Sequence, residues 1–326
     1  MPPRSPLPPR HGLQAAWVRT PDRDPGNPAP WPTMRDFLHH KLAPIRDDVD
    51  RLLAEGVFVD QDGRPWTGRE PYRPHTFVWF HRELRDEPEV PGDLTVLHQD
   101  ERIVVLDKPH FLSTIPRGQH VLQSAVVKAR RDLGLPELSA AHRLDRGTAG
   151  VLLMTTQRRW RAAYQDVFAR RDATKTYQAI APVRAELGFP RRVESHLAKR
   201  VGVLQAEEVP GARPNAVTDI ELAEVRDGWG RYVVRPLTGR THQIRMHFLS
   251  LGIPLAGDPL YPEVLDTGID DFSTPLRLLA WRLEFTDPVD GSPRRFTSRR
   301  ELLWPPTALP ASGDLLPGPP GLTGSD

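Results

Sequence analysis

Residues 141–150, "AHRLDRGTAG", hold the side chains best suited to chemistry, because one acid stands between two arginines just before an apolar run. The acid is Asp145, and its neighbours are Arg143 and Arg146. A carboxylate paired with a guanidinium stays ionised and keeps a fixed direction. This arrangement suits a nucleophile or an electrostatic stabiliser better than a general acid. The alternative is a structural loop acid that the neighbouring arginines merely satisfy.

A second arginine-bearing segment, "GRTHQIRMH" at 239–247, can face Asp145. Gly239 permits a tight turn from strand to helix, and Thr241 is expected to cap the helix, whose free N–H groups can hold a phosphate. His242 and Arg245 are three positions apart and share a face. His242 and His247 are five apart, which is a poor spacing for a shared metal ion, so no metal site is expected.

Composition excludes several classes of protein. The 326 residues include no cysteine, which removes disulfides and thiol nucleophiles and predicts a reducing cytoplasm. No apolar run is long enough to cross a membrane, and the first residues lack the core of a signal peptide. Neither a phosphate-binding loop nor a dinucleotide loop is present, so no cofactor is expected. The formal charge is only +2, but residues 158–175 carry six Lys or Arg. That cluster is either a solvated face or a contact for a polyanion.

Changes in composition along the chain predict its domains. Residues 1–32 contain ten prolines and are predicted to be a flexible arm, and 306–326 a Pro/Gly-rich tail. Residues 33–83 predict a small module of two helices followed by strands, with Thr33 capping the first helix. Residues 84–93 are predicted to be a linker. From 94 to 305, strands outnumber helices and neighbours can pair antiparallel, which favours an α+β domain.

An ordered set of motifs gives these segments a common meaning. "DKP" at 107–109, "HRLDRGTAG" at 142–150, "KTYQA" at 175–179, "GRTHQIRMH" at 239–247, "GDPLY" at 257–261 and "AWRLEFTDPV" at 280–289 follow one another in sequence. Together they resemble the RluA-type pseudouridine synthases. The resemblance implies the pseudouridine synthase fold, a mixed and mainly antiparallel sheet with flanking helices around a catalytic cleft. Residues 33–83 resemble, more loosely, the small RNA-binding module of such enzymes.

The resemblance also implies the chemistry, which is isomerisation of uridine in RNA without a cofactor. Asp145 would act at the ribose as nucleophile or proton acceptor, Tyr177 would pack against the base, and Arg245 would pair with Asp145. Arg143 would enter the space left by the flipped uridine or contact phosphates. The remaining matched positions are assigned to substrate binding: His142, Lys108, Lys175, Arg240, Thr241, His242 and Gln243. A flipped base costs a few kcal/mol, which phosphate contacts can offset.

Two other functions compete with this interpretation. A non-catalytic RNA-binding or folding factor on the same scaffold would be expected to lack Asp145, Tyr177 or Arg245, and all three are present. A hydrolase of nucleoside bonds would release free uracil. The chain departs from the usual family pattern at His110, Phe111 and Pro262 and in "TAG", which bears on the choice of substrate more than on activity. The expected partner is ribosomal RNA or tRNA, with no membrane contact, and the expected state is a monomer.

Overall fold

Two units make up the chain in the computed structural model, Met1–Asp86 and Glu87–Asp326. The structure describes residues 3–22 and 31–306. Part of the predicted arm and almost all of the predicted tail 306–326 therefore lie outside the described residues. Every helix of the described residues is too short or too polar to span a bilayer.

The first unit begins its helices where the sequence predicts. Helix α1 (Met34–Lys41) starts after Thr33, whose hydroxyl accepts from the Asp36 amide while the Asp36 carboxylate accepts from the Thr33 amide. This reciprocal pair satisfies two amides that the first helical turn leaves without partners. Helix α2 (Val49–Ala54) follows a short 3₁₀ turn, and both helices bury their apolar faces in one core.

A strand lies within residues 1–32, the segment predicted to be a flexible arm. Strand β1 (Ala16–Arg19) pairs antiparallel with β2 (Phe77–Phe80). The segment between the flanking prolines holds enough residues with backbone N–H groups to form a ladder, and Val18 is buried in the core that also holds α1 and α2. The Thr20 hydroxyl then donates to the Arg73 carbonyl at 2.6 Å and fixes the strand end.

A ten-stranded sheet forms the second unit, and only one of its strand pairs is parallel in the described residues. The order is β3-β4-β6-β13-β7-β12-β11-β8, with β5 beside β6 and β14 beside β13, while β9 and β10 form a separate hairpin. The predicted mixed, mainly antiparallel α+β fold is confirmed. The strands are β3 (Thr95–Gln99), β4 (Ile103–Lys108), β5 (Ser139–Ala140), β6 (Ala149–Thr155), β7 (Thr174–Pro182), β8 (Arg191–Ser195), β9 (Leu197–Ala198), β10 (Glu207–Glu208), β11 (Ala216–Arg226), β12 (Trp229–Pro236), β13 (Leu278–Thr286) and β14 (Pro293–Thr297).

The parallel pair is a short seam between β6 and β13, where Ala149 and Gly150 lie opposite Leu279 and Ala280. Gly150 has φ +111°, and a Cβ at this position would lie 2.2 Å from the Ala280 carbonyl oxygen. Only glycine allows the two backbones to come this close. The seam therefore explains the glycine that follows the acid-bearing motif.

Helices α3 (Ala125–Leu133), α4 (Arg161–Ala169) and α5 (Gln243–Ser250) flank the sheet. The two units meet within the predicted linker 84–93, and from Glu87 onwards this segment is bound to the sequence before α3. The Glu87 carboxylate accepts from three successive amides, Val121 to Gln123, each at 2.8 Å. Val90 is also buried in the core beneath α3.

Candidate active site

The loop that carries Asp145 connects β5 to β6 and is held along its backbone. Its four consecutive carbonyls from Leu144 to Gly147 each accept a hydrogen bond from the protein. The donors, in order, are the Thr114 hydroxyl at 2.7 Å, the Thr148 amide at 3.1 Å, Lys108 Nζ at 3.4 Å and His110 Nδ1 at 2.7 Å. Satisfied buried carbonyls fix a loop that has no regular secondary structure.

Lys108, predicted to bind substrate, supports this loop in the structure and does not line the cavity described below. Its side chain is fully buried, and Nζ also donates to the carbonyls of Pro109 and Leu112 at 3.0 and 2.7 Å. Burial lowers the pKa of Lys108 to about 7, although the nearby charge of Asp145 opposes that shift. The position at the end of a buried strand, beside a proline, directs the amine inward.

Arg245 connects Asp145 to a second acidic residue, Asp258. Arg245 Nη1 lies 3.9 Å from the Asp145 carboxylate. The same guanidinium binds Asp258 through two bonds, Nε to Oδ2 at 2.7 Å and Nη2 to Oδ1. Burial opposes the charge on Arg245, but the bonds and charges of Asp258 and the charge of Asp145 outweigh it and raise the pKa of Arg245. The predicted pairing of Arg245 with Asp145 is thus a secondary contact of an arginine whose main partner is Asp258.

Tyr177 lies on β7, beside Asp145 in the same cavity. Its hydroxyl makes no hydrogen bond to any described residue. Burial, with the nearby negative charge of Asp145, raises the pKa of Tyr177, so the hydroxyl stays protonated at neutral pH. The ring is therefore available to a flat apolar ligand, with a hydrogen-bond donor at its end.

His242 and Tyr261 complete the surroundings of Arg245. The Tyr261 ring lies 5.0 Å from the Arg245 guanidinium carbon, and its hydroxyl lies 2.8 Å from His242 Nδ1. Burial lowers the pKa of His242, which the charge of Asp145 partly opposes. His242 also adopts φ +57° as the residue preceding α5, so the helix begins at Gln243 and Thr241 is not its cap, contrary to the prediction. Thr241 itself is exposed at the cavity wall.

These groups open into one cavity of about 1150 Å³, which we call the cationic cavity. Among the described residues that line it, Asp145 is the single acid. Eight lysines and arginines share the lining: Arg117, Arg143, Arg171, Lys175, Lys199, Arg200, Arg240 and Arg245. A cavity with this charge pattern fits a polyanionic substrate and a chemical step that needs one local negative charge.

Known proteins are similar to this chain in sequence and in fold. Residues 102–250 match the sequence model of the RNA pseudouridylate synthase family. An uncharacterized RNA pseudouridine synthase of Synechocystis sp. is 30% identical over 234 residues, covering 70% of this chain and 79% of that protein. The dual-specificity RNA pseudouridine synthase RluA of Salmonella typhi is 31% identical over 229 residues, covering 66% of this chain and 96% of that protein.

The chain belongs to the RluA-type family of RNA pseudouridine synthases. It is therefore an isomerase that acts on RNA. The solved structure of human RNA pseudouridylate synthase domain containing 1 agrees in fold, with a TM-score of 0.51 and 23% identity over 65% of this chain and 86% of that one.

In this synthase the cavity brings together all the sequence-predicted residues except Lys108. Asp145, Tyr177 and Arg245 line it together with Arg143, which is exposed. The other lining residues of the predicted set are His142, Lys175, Arg240, Thr241, His242 and Gln243.

Gln243 and His142 are already bound by protein groups. The Gln243 amide accepts from Thr238 and from the Arg240 amide and donates to Val217 and Thr218, so it holds the turn before α5, and its role in binding substrate stays a prediction. The His142 ring accepts from the Leu153 amide at 3.1 Å, and burial lowers its pKa to about 3. A neutral His142 with its proton on Nδ1 still has one donor for a ligand.

Sequence reasoning missed several groups of this RluA-type synthase. Asp258 lies in the "GDPLY" motif, but nothing local indicates that its partner is Arg245, thirteen positions earlier. The sequence does not indicate the roles of Thr114 and His110, because the groups they bind are backbone carbonyls of the loop that carries Asp145. The sequence also gives no indication that the segment after β9 lines the cationic cavity, as Lys199 to Leu204 do.

Proposed function

We propose that Asp145 acts at the ribose of a target uridine that is flipped out of its RNA into the cationic cavity. The observation that carries this assignment is that, among the described residues of the lining, one carboxylate stands among eight cationic side chains, 3.9 Å from a buried guanidinium. A carboxylate in that position places a negative charge beside the substrate in an otherwise cationic lining. The developing positive character at a glycosidic carbon requires such a charge.

The isomerisation breaks the bond between ribose C1′ and uracil N1 and forms a bond between C1′ and C5. The C5 proton is lost to solvent and N1 gains a proton, so no external reactant is consumed. Asp145 serves this exchange as nucleophile or as proton acceptor. Tyr177, whose hydroxyl stays protonated, packs against the uracil and donates a hydrogen bond to it.

Arg245 and Arg143 have separate tasks in this proposal. Arg245 is held by Asp258 and orients Asp145, whereas the exposed Arg143 contacts the RNA where the uridine has left the stack. Lys175, Arg240, Thr241 and His242 line the wall and bind phosphate or base edges. Phosphate contacts of this kind offset the cost of base flipping.

The proposed substrate is ribosomal RNA, tRNA or both, modified in the cytoplasm by a monomer. The RluA relative of Salmonella typhi is described as dual-specificity, which supports a target set of more than one RNA. The absence of cysteine from the sequence supports a reducing compartment.

The test follows tritium released to water from RNA labelled at uracil C5, taken from cells that lack the protein. We expect release with the wild type and none above background with Asp145→Asn. Asp166→Asn, on the exposed side of α4, is the matched control and retains full activity. Equal circular dichroism spectra show that each variant is folded.

Two outcomes would contradict the assignment. Tritium release by Asp145→Asn at the wild-type rate removes Asp145 from the chemistry. Free uracil in place of pseudouridine indicates a hydrolase. Mapping the new pseudouridines in ribosomal RNA and tRNA then names the substrate.

A further inference from the structure

The segment between β9 and β10 forms a hairpin, residues 197–208, whose tip lies at the cationic cavity. Glu207 pairs with Ala198 and Glu208 with Leu197 at its base. At the tip, Gly202 has φ +84°, and Lys199 Nζ donates to the Val203 carbonyl. The tip is therefore a closed turn rather than an extended loop.

Apolar side chains at this tip point into water. Val201 is fully exposed, Val203 is 50% exposed and Leu204 is 62% exposed. Among the exposed large apolar side chains of the described residues, only these three line the cationic cavity. Exposed apolar groups that cluster at a binding cavity indicate a contact surface.

The base of the hairpin is fixed to the residues around Arg245. The Ala206 amide donates to the Tyr261 hydroxyl at 2.6 Å, and Gln205 Nε2 donates to the Leu260 carbonyl. Leu197 and Ala206 are buried with Tyr261 in one apolar cluster. The tip thus stands on a rigid support next to the group that orients Asp145.

The polar groups of the tip are already in use, whereas its apolar groups are not. Arg200 binds Glu207 across the hairpin at 2.7 Å, and Lys199 is held by the Val203 carbonyl. What the tip offers without breaking a contact is the aliphatic surface of Val201, Val203 and Leu204. The apolar faces of nucleobases fit that surface. The surrounding cations favour an anionic partner such as RNA over a protein with few acidic residues.

We propose that the tip of the 197–208 hairpin is a wedge that packs against unstacked bases beside the target uridine and favours base flipping. Apolar side chains inserted at a base step hold it open in other nucleic-acid complexes. This inference rests on the proposed function, since it assumes that a uridine enters the cationic cavity. The wedge selects RNAs in which the neighbouring stack can open.

The experiment compares V201S/V203S/L204S with a matched control, V225S/V289S/L303S, which removes three exposed apolar side chains outside the cavity lining. Each protein acts on two RNAs with the same local sequence. One has the target uridine inside a stem, and the other is an unstructured strand. We expect the tip variant to lose about ten-fold or more in kcat/KM on the stem but less than about three-fold on the strand, because only the stem must be unstacked.

A second readout does not depend on turnover. In an Asp145→Asn background, 2-aminopurine placed next to the target reports unstacking as a rise in fluorescence when the stem binds. We expect the tip substitutions to reduce this rise at saturating protein and the control substitutions to leave it unchanged.

The outcomes separate the two proposals. Equal loss on stem and strand overturns the wedge and indicates a surface that only binds, and no loss on either RNA overturns it outright. Absence of pseudouridine with the wild type overturns the proposed function, while the fluorescence signal still reports on the wedge.

Discussion

Asp258→Asn removes the negative charge from the buried ion pair that Asp258 forms with Arg245. The loss of stability follows from the burial of the two side chains. The Arg245 side chain is 4% exposed and that of Asp258 is 1% exposed. Removing one partner of a buried pair costs about 3–5 kcal/mol, and Asp145 at 3.9 Å compensates the remaining charge of Arg245 only in part. For a domain of this size that loss lowers Tm by roughly 6–20 °C.

Activity is expected to fall as well, for a geometric reason. Asparagine retains an oxygen for the amides of Leu260 and Tyr261, which bind Asp258 at 2.9 and 3.2 Å, so the backbone turn is preserved. The guanidinium, however, loses its bidentate partner and shifts towards Asp145 at 3.9 Å. A displacement of about 1 Å at a reacting group costs about 100-fold in rate. We therefore expect kcat to fall about 100-fold at a temperature where the variant is folded.

A matched control is available on the surface of the same unit. Asp219 binds Arg192 with the same bidentate geometry, at 2.7 and 2.9 Å, but the two side chains are 36% and 54% exposed. Exposed pairs contribute about 0.2–1 kcal/mol. Asp219→Asn should therefore shift Tm by only a few degrees. Urea unfolding and tritium release measure both variants. The reasoning would be refuted if Asp258→Asn destabilised the protein no more than Asp219→Asn does and kept kcat within three-fold of the wild type.

Three further perturbations test other parts of the structure. Gly150→Ala places a methyl group against the Ala280 carbonyl at a φ that only glycine tolerates, and we expect it to cost more than about 3 kcal/mol by urea unfolding, whereas Gly134→Ala, with open space around it, should cost less. His142 has a pKa of about 3 when folded, below its unfolded value, so the unfolded chain binds more protons and stability falls as pH drops through 6.5 towards 3. His142→Gln should therefore reduce the stability difference between pH 7 and pH 5 by up to about 2 kcal/mol, and an unchanged difference would show that His142 is not buried neutral. RNA affinity should fall steeply with salt. Arg143→Gln should lower the slope of log Kd against log salt by about 1, the amount expected for one lost phosphate contact. An unaltered slope would remove Arg143 from the interface.

Local patterns predicted those parts of the molecule whose partners are close in sequence. Thr33 and Asp36 form their capping box within one helical turn, and the apolar run after Gly150 forms a buried strand. The order of motifs indicated the family, and with it the convergence of Asp145, Tyr177 and Arg245 on one cavity.

Contacts between distant segments were not predictable in the same way. Glu87 reads as part of a polar linker because the amides that it binds lie more than thirty positions later. Lys108 reads as a substrate ligand, since nothing beside it in sequence shows that three carbonyls will surround its amine. The local sequence around Asp258 likewise does not show that its partner is Arg245. In each case protein groups that the charge pattern does not reveal satisfy the charged side chain, even where, as for Lys108, two of the three carbonyls are close in sequence.

The seam between β6 and β13 bears on how this enzyme becomes active during folding. Each half of the sheet is antiparallel, and its longest-range pair, β13 with β7, joins residues about 100 positions apart through six aligned residue pairs, whereas the seam joins residues about 130 positions apart and contains two. Pairing over such a separation is slow, because a long loop must close before any contact compensates for its entropy. Asp145 precedes the strand on one side of this seam, and Tyr177 and Arg245 belong to the other. We therefore expect catalytic competence to appear only in the last assembly step, so that a newly made chain with two formed halves is still inert towards RNA.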